Sequence, residues 1–135
     1  MVLNTTKNIP TINNPSPTNQ STGIETQPLM QIAITDPDGD PMNLLWYSNS
    51  SGTWEIFAQN NSVTNGTYYQ TNNNFTENAQ TYYWYVSVDD GFDTTNSDIY
   101  HFSTNYLPEI TDNSPNNESI DIDLLPELSV TFSDF

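Results

Sequence analysis

The chain has 135 residues and a formal net charge of −16 at pH 7, because a single lysine stands against 17 carboxylates. So anionic a surface repels nucleic acid and anionic lipid, which excludes both as partners, and it attracts cations. There is no cysteine, so no disulfide stabilises the fold. No apolar run approaches the roughly 20 residues of a membrane span. Plain solubility is the alternative explanation for the charge.

One stretch of the sequence occurs twice. Residues 12–36 read INNPSPTNQSTGIETQPLMQIAITD, and residues 110–134 read ITDNSPNNESIDIDLLPELSVTFSD, 98 positions later and without a gap. That spacing is too long for a solenoid unit and fits one small all-β domain. We therefore predict a linker or tail at 1–9, a β-sandwich domain at 10–106, and the truncated start of a second repeat at 107–135.

The first half of the domain is expected to form four strands. Residues 10–17 are extended and Pro-rich, which suits an edge strand, where a missing N–H does no harm. Two alternating strands follow, separated by the turn cluster at residues 36–41, and a fourth covers residues 54–58. The expected inward-facing residues of the second and third strands are Met30, Ile32, Ile34, Met42, Leu44 and Trp46.

The second half contains the clearest strand. After a turn at Asn65-Gly66, a short strand at 67–70 and a polar loop at 72–80, residues 81–91 read TYYWYVSVDDG. A last strand covers residues 98–103. The expected inward-facing residues are Tyr82, Trp84, Val86, Val88, Tyr100 and Phe102. Short strands, frequent turns and no helical periodicity predict an all-β, seven-stranded antiparallel two-sheet sandwich.

The segment at residues 81–91 resembles the penultimate strand of fibronectin type III-like and related immunoglobulin-like repeats. The phrase NPSPTNQSTGI, then a strand, then DPDGDP, is similar to tandem repeats of large archaeal and bacterial surface proteins. The resemblance implies that the Tyr82 hydroxyl bonds to the preceding loop and that Trp84 fills the core. The missing cysteine pair excludes antibody-type domains. Such modules host many roles, so the resemblance does not specify a function.

Acidic loops make calcium the candidate cofactor. Carboxylates at alternate positions of DPDGD can converge on one hard cation, and Gly39 permits a tight turn. In a sandwich of this topology, the loop before the last strand lies at the same end of the domain as the DPDGD loop. Cadherin-like repeats bind calcium with acidic loops of similar composition. The alternative is turn chemistry without a metal, because Asp, Pro and Gly are common turn residues. The candidate ligands are Asp36, Asp38, Asp40, Asp89, Asp90 and Asp93.

Outward-facing aromatic residues suggest a second candidate site. Tyr83, Tyr85 and Tyr47 are expected on one sheet surface, where a flat strip can stack on sugar rings or on a neighbouring module. Covering the sheet is the alternative role for these good β-formers. His101, the single histidine, is expected to point outward. Candidate glycosylation sequons begin at Asn4, Asn19, Asn49, Asn60, Asn65, Asn74 and Asn117, all expected in polar loops.

These patterns favour a non-catalytic repeat module over an enzyme. No Cys/His cluster, phosphate loop or nucleophile elbow occurs in the sequence. The expected role is a spacer, stalk or adhesion segment of an extracellular or cell-surface protein, contacting neighbouring repeats and surface glycans. Two alternatives remain: a carbohydrate-binding accessory module of a secreted enzyme, and a subunit of an extracellular filament or surface layer whose edge strands pair between copies.

Overall fold

The computed structural model describes residues 6–114 and 129–134. These residues form strands and no helix. No helix in this part of the chain is long and apolar enough to cross a membrane. The strands are β1 (Thr11–Ser16), β2 (Ser21–Ile24), β3 (Met30–Thr35), β4 (Met42–Ser48), β5 (Glu55–Val63), β6 (Gly66–Gln70), β7 (Thr81–Asp89), β8 (Thr94–Asn96), β9 (Tyr100–Thr104), β10 (Glu109–Ser114) and β11 (Ser129–Ser133).

Two sheets pack in a sandwich-like arrangement. A small sheet has the order β1-β3-β6, and a large sheet has the order β2-β9-β7-β4-β5 with β8 beside β7. Alternation along β3, β4, β7 and β9 sends every second side chain into the core, as expected for half-buried strands. Every inward-facing residue expected in those strands is buried. The all-β prediction is therefore confirmed.

The structure divides the chain more finely than the predicted seven antiparallel strands. The predicted first strand corresponds to β1, which pairs with β3 in the small sheet, and a strand that was not predicted, β2, follows it in the large sheet. There β2 runs parallel to β9, so the prediction of purely antiparallel pairing is wrong. The fourth strand is longer than residues 54–58, because β5 continues along β4 as far as Val63. The predicted last strand at 98–103 corresponds to β9, and an additional short strand, β8, precedes it.

Two tryptophans lie at the centre of the core. The Trp46 and Trp84 rings stack with centroids 6.0 Å apart, and neither side chain is exposed. The Trp46 indole N–H donates to Oδ1 of Asn60, 2.9 Å away, so a polar group of the edge strand β5 satisfies a buried donor. The core position that the resemblance implied for Trp84 is confirmed.

The loop before β7 contributes Phe75, which the sequence placed in a polar loop. Its side chain is fully buried, with the Tyr82 ring centroid 4.7 Å away and the Phe102 centroid 5.3 Å away. The same loop bonds to β7, since the Glu77 backbone N–H donates to the Tyr82 hydroxyl at 2.9 Å. The bond implied for Tyr82 is therefore present. The otherwise polar loop at 72–80 therefore packs on the core through one aromatic side chain, Phe75.

The pairing of β10 with β11 repeats the pairing of β1 with β3. In the first pair Thr11 lies opposite Thr35 and Ile12 opposite Ile34. In the second pair the equivalents 98 residues later lie opposite one another: Glu109 faces Ser133 and Ile110 faces Phe132. In both pairs the register then shifts, after Asn13 in β1 and after Ile110 in β10.

Candidate cation site

Three carboxylates converge in the loop between β3 and β4. One oxygen each from Asp36, Asp38 and Asp40 lies within 4.8 Å of the others. Gly39 sits between them at a φ of +75°, a left-handed conformation that glycine adopts without steric cost. Its N–H donates to the Asp36 carbonyl at 3.1 Å, which closes the turn. The tight turn expected for DPDGD is therefore confirmed.

Asp36 is almost completely buried, with 1 % of its surface exposed. Its backbone N–H donates to Asn65 Oδ1 at 2.7 Å, and Asn65 Nδ2 donates to its carbonyl at 3.1 Å. Its Oδ1 accepts the Asp38 backbone N–H at 2.7 Å. Its Oδ2 is buried and has no hydrogen-bond partner within the described residues. An unsatisfied buried carboxylate oxygen is costly, so a cation or a water molecule bound here would stabilise the loop.

The second acidic loop, which follows β7, uses its carboxylates mainly to hold its own turn. Asp90 Oδ1 accepts the backbone N–H groups of Asp93 and Phe92, both at 2.7 Å, and these bonds lower the pKa of Asp90. Asp89 Oδ1 accepts the Gly91 N–H at 2.7 Å. Asp90 is 3 % exposed, and its Oδ2 lacks a partner among the described residues. Within those residues, the converging group does not include Asp89, Asp90 or Asp93.

Lys7 connects the two acidic loops. Its ammonium lies 2.8 Å from Asp40 Oδ2 and 4.5 Å from the centroid of the Phe92 ring. Both loops therefore lie at the same end of the domain, as the sequence predicted. The hydrogen bond to Asp40 raises the pKa of Lys7, with further contributions from Asp38 and Asp36.

Asn8 holds the first loop from the same side. Its backbone N–H donates to Asp38 Oδ2 at 2.6 Å, and its Nδ2 donates to Asp38 Oδ1 at 3.1 Å. These bonds lower the pKa of Asp38. Residues 1–9 were predicted to be a linker or tail, and neither Lys7 nor Asn8 had an expected role. The available indication was that a chain this acidic has one lysine, whose most favourable position is among the carboxylates.

The aromatic strip differs from the predicted one. Tyr47 and Tyr85 stack on each other with centroids 4.6 Å apart at 3°, so each covers one face of the other. Tyr83 is 40 % exposed and contacts His101, whose centroid is 5.4 Å away. Trp54 was not among the predicted site residues, yet it is 43 % exposed and packs edge-on against Tyr85, with ring centroids 5.1 Å apart. An open cleft of about 400 Å³ is lined by Trp54, Tyr85, Asn96, Ser97 and Ile99.

The sequons fall in different environments. Asn4 and Asn117 lie outside the described residues. Asn19, Asn65 and Asn74 are exposed, whereas Asn49 is half-buried. Asn60 is also half-buried and lies within β5, so the prediction that every sequon lies in a loop is wrong for Asn60. The pairing of β5 with β4 overrode its polar, loop-like sequence.

Comparisons of the chain with known protein families, with curated proteins and with solved structures found no match.

Proposed function

We propose that this chain is a non-catalytic repeat module of an extracellular or cell-surface protein, acting as a spacer, stalk or adhesion segment. The observation that carries the proposal is the repeated strand pairing. The β1–β3 register recurs in β10–β11, 98 residues later, together with the repeated sequence. A chain that repeats both a sequence and its strand register is typical of an array of domains.

The exposed face of the second strand pair supports the same proposal. Ile110, Val130 and Phe132 are 64 %, 49 % and 68 % exposed. Their equivalents in the first copy are Ile12, Ile32 and Ile34; Ile32 and Ile34 lie in the core cluster, and Ile12 packs against it. The same apolar pattern is therefore covered by a large sheet in one copy and uncovered in the other. A second large sheet over β10 and β11 would complete a second module of the same kind.

The strand order supports a fibronectin type III-like or immunoglobulin-like module. In that interpretation β1, β3 and β6 form one layer, and β4, β5, β7 and β9 form the other, with β2 as the segment that changes sheets. The Tyr82 hydroxyl bond to the preceding loop fits this assignment. Rigid sandwiches in series are suited to holding a binding surface away from its attachment point.

We further propose that calcium binds the carboxylates of the β3–β4 loop and stiffens that end of the domain. Calcium takes 6–8 oxygen ligands at about 2.3–2.6 Å, and the loop offers three carboxylates, with backbone carbonyls and water to complete the set. The buried, unpartnered Asp36 Oδ2 supports a cation more strongly than the exposed carboxylate of Asp38 does. A turn held only by hydrogen bonds requires no such buried oxygen.

Thermal unfolding in EDTA-treated buffer, with and without calcium, tests the cation proposal. A site filled at 100 times its dissociation constant adds about 2.7 kcal/mol to the free energy of unfolding. Asp36→Asn should remove most of the calcium-dependent shift in melting temperature. Glu55→Gln is the matched control, since it removes a carboxylate from the exposed start of β5. An unchanged melting temperature up to millimolar calcium would eliminate the cation site and leave a plain spacer.

Carbohydrate binding is a second candidate function, supported by the cleft beside Trp54. An exposed indole next to Tyr85 offers apolar faces for a sugar ring, and Asn96 adds an exposed amide. The negative charge of the chain favours a neutral saccharide over an anionic one. Calorimetric titration with neutral oligosaccharides should show saturable heat that Trp54→Ala abolishes. Tyr69→Ala, which removes an exposed aromatic from the small sheet, should leave that heat unchanged.

A further inference from the structure

We propose that Lys7 is a tethered counterion of the acidic end, and that calcium binding displaces it and releases the segment before β1. This inference rests on the proposed cation site and describes its regulation. Lys7 and Asn8 occupy oxygens of Asp40 and Asp38, two of the three converging carboxylates. Within the described residues, protein donors therefore occupy oxygens of those two carboxylates, while Asp36 Oδ2 has no hydrogen-bond partner.

The ammonium and a calcium ion compete for the same oxygens. Lys7 Nζ lies 2.8 Å from Asp40 Oδ2. An ion coordinated by that oxygen at about 2.3–2.6 Å would lie within a few ångströms of the ammonium. Two cations at such a distance repel, and the divalent ion has the stronger attraction to the carboxylates. Occupation by calcium therefore favours a state in which Lys7 has left Asp40.

The released segment is short and well delimited. Pro10 is buried directly before β1, so the paired strand fixes the chain from there onward. Before Pro10, the described contacts with the acidic end are made by Lys7 and Asn8. Calcium would thus stiffen the β3–β4 loop while freeing the chain that enters the domain. In a tandem array this segment lies between modules, so the exchange would alter hinge freedom at that junction.

The second copy does not repeat this arrangement. The residue 98 positions after Lys7 is Asn105, and the one after Asn8 is Tyr106. Asn105 has no charge, and its backbone N–H donates to the Ile24 carbonyl at 2.8 Å. The position equivalent to Lys7 before the second copy therefore offers no positive charge to an acidic loop.

Calcium titration by calorimetry tests the displacement in the whole chain. Calcium must break the partly exposed Lys7–Asp40 ion pair in order to bind, and such a pair changes affinity by up to about fivefold. Lys7→Met should therefore bind calcium about fivefold more tightly than the wild type, whereas Lys7→Arg, which keeps the charge, should stay within about twofold of it. Equal affinities in the wild type and Lys7→Met would overturn the displacement while leaving the cation site intact.

Hydrogen exchange of the wild-type protein gives a second readout that needs no variant. The Asn8 amide, bonded to Asp38 Oδ2 at 2.6 Å, should be protected without calcium and lose protection when calcium saturates the site. The Gly39 amide, bonded to the Asp36 carbonyl within the turn, is the internal control and should stay protected. Unchanged Asn8 protection in saturating calcium would overturn the proposal. If neither the wild type nor Lys7→Met binds calcium, the cation site itself is refuted, and the displacement with it.

Discussion

Phe75→Ala should be the most damaging single substitution in any loop of the domain. The Phe75 side chain has no exposed surface and packs among the rings of Phe57, Tyr82 and Phe102 at 6.0, 4.7 and 5.3 Å. Truncating a buried phenylalanine to alanine costs about 3–5 kcal/mol, from lost burial and the cavity left behind. For a domain of this size, each kcal/mol lowers the melting temperature by about 4–8 °C. The expected decrease is therefore about 12 °C or more.

Urea unfolding followed by tryptophan fluorescence measures this effect, because Trp46 and Trp84 are buried reporters. Phe92→Ala is the matched control: it is the same substitution in another loop, at a side chain that is 63 % exposed. Its only described ring contact is with Lys7, and an exposed cation–π pair contributes little to stability. If Phe75→Ala costs no more than Phe92→Ala, Phe75 does not close the core and the packing described here is wrong.

Three further predictions concern the polar groups. Asn60→Leu removes the acceptor of the Trp46 indole N–H and should destabilise the fold by about 1–3 kcal/mol, as measured by urea unfolding. Asn60→Asp keeps an acceptor at this position and should retain most of the stability. Hydrogen bonds from Asn8 lower the folded-state pKa of Asp38 below 3.8, so the stabilisation they give is present above about pH 4 and is lost as the pH falls through the lower folded pKa. The difference in melting temperature between the wild type and Asp38→Asn should therefore disappear in acid. A difference that grows in acid would contradict the assignment. In a glycosylating host, peptide mass spectrometry should find glycan on the exposed Asn74 and none on the half-buried Asn60; the reverse pattern would refute the described burial.

The alternation of side chains explains why the core was predictable. In β7 the period of two places Tyr82, Trp84, Val86 and Val88 on one face, and the sequence alone identifies that face. Packing against β4 and β9 then buries the same set. Because the parity of a strand is a local property, no knowledge of the partner strand was needed.

The long-range contacts could not be read from the sequence. Phe75 lies in a segment without periodicity, so only the folded structure shows that it covers the core. Lys7 reaches Asp40 across 33 positions, and a lone charge carries no pattern that would indicate its partner. The Asn65-Gly66 pair predicted a turn, but the flanking strands β5 and β6 belong to different sheets. The Asn65 side chain instead bonds to the Asp36 backbone, which no local pattern indicates. The prediction that both acidic loops lie at one end of the domain was right, but the Lys7 ammonium that lies between them was not predicted.

Stretching single molecules most directly tests whether residues 10–106 form one mechanical spacer module. At roughly 3.3–3.6 Å per residue, the unfolding of this segment releases about 30 nm of chain. The proposed spacer predicts one force peak followed by a single extension of about that length. Gradual extension without a peak, or release in two or more shorter steps, would contradict it.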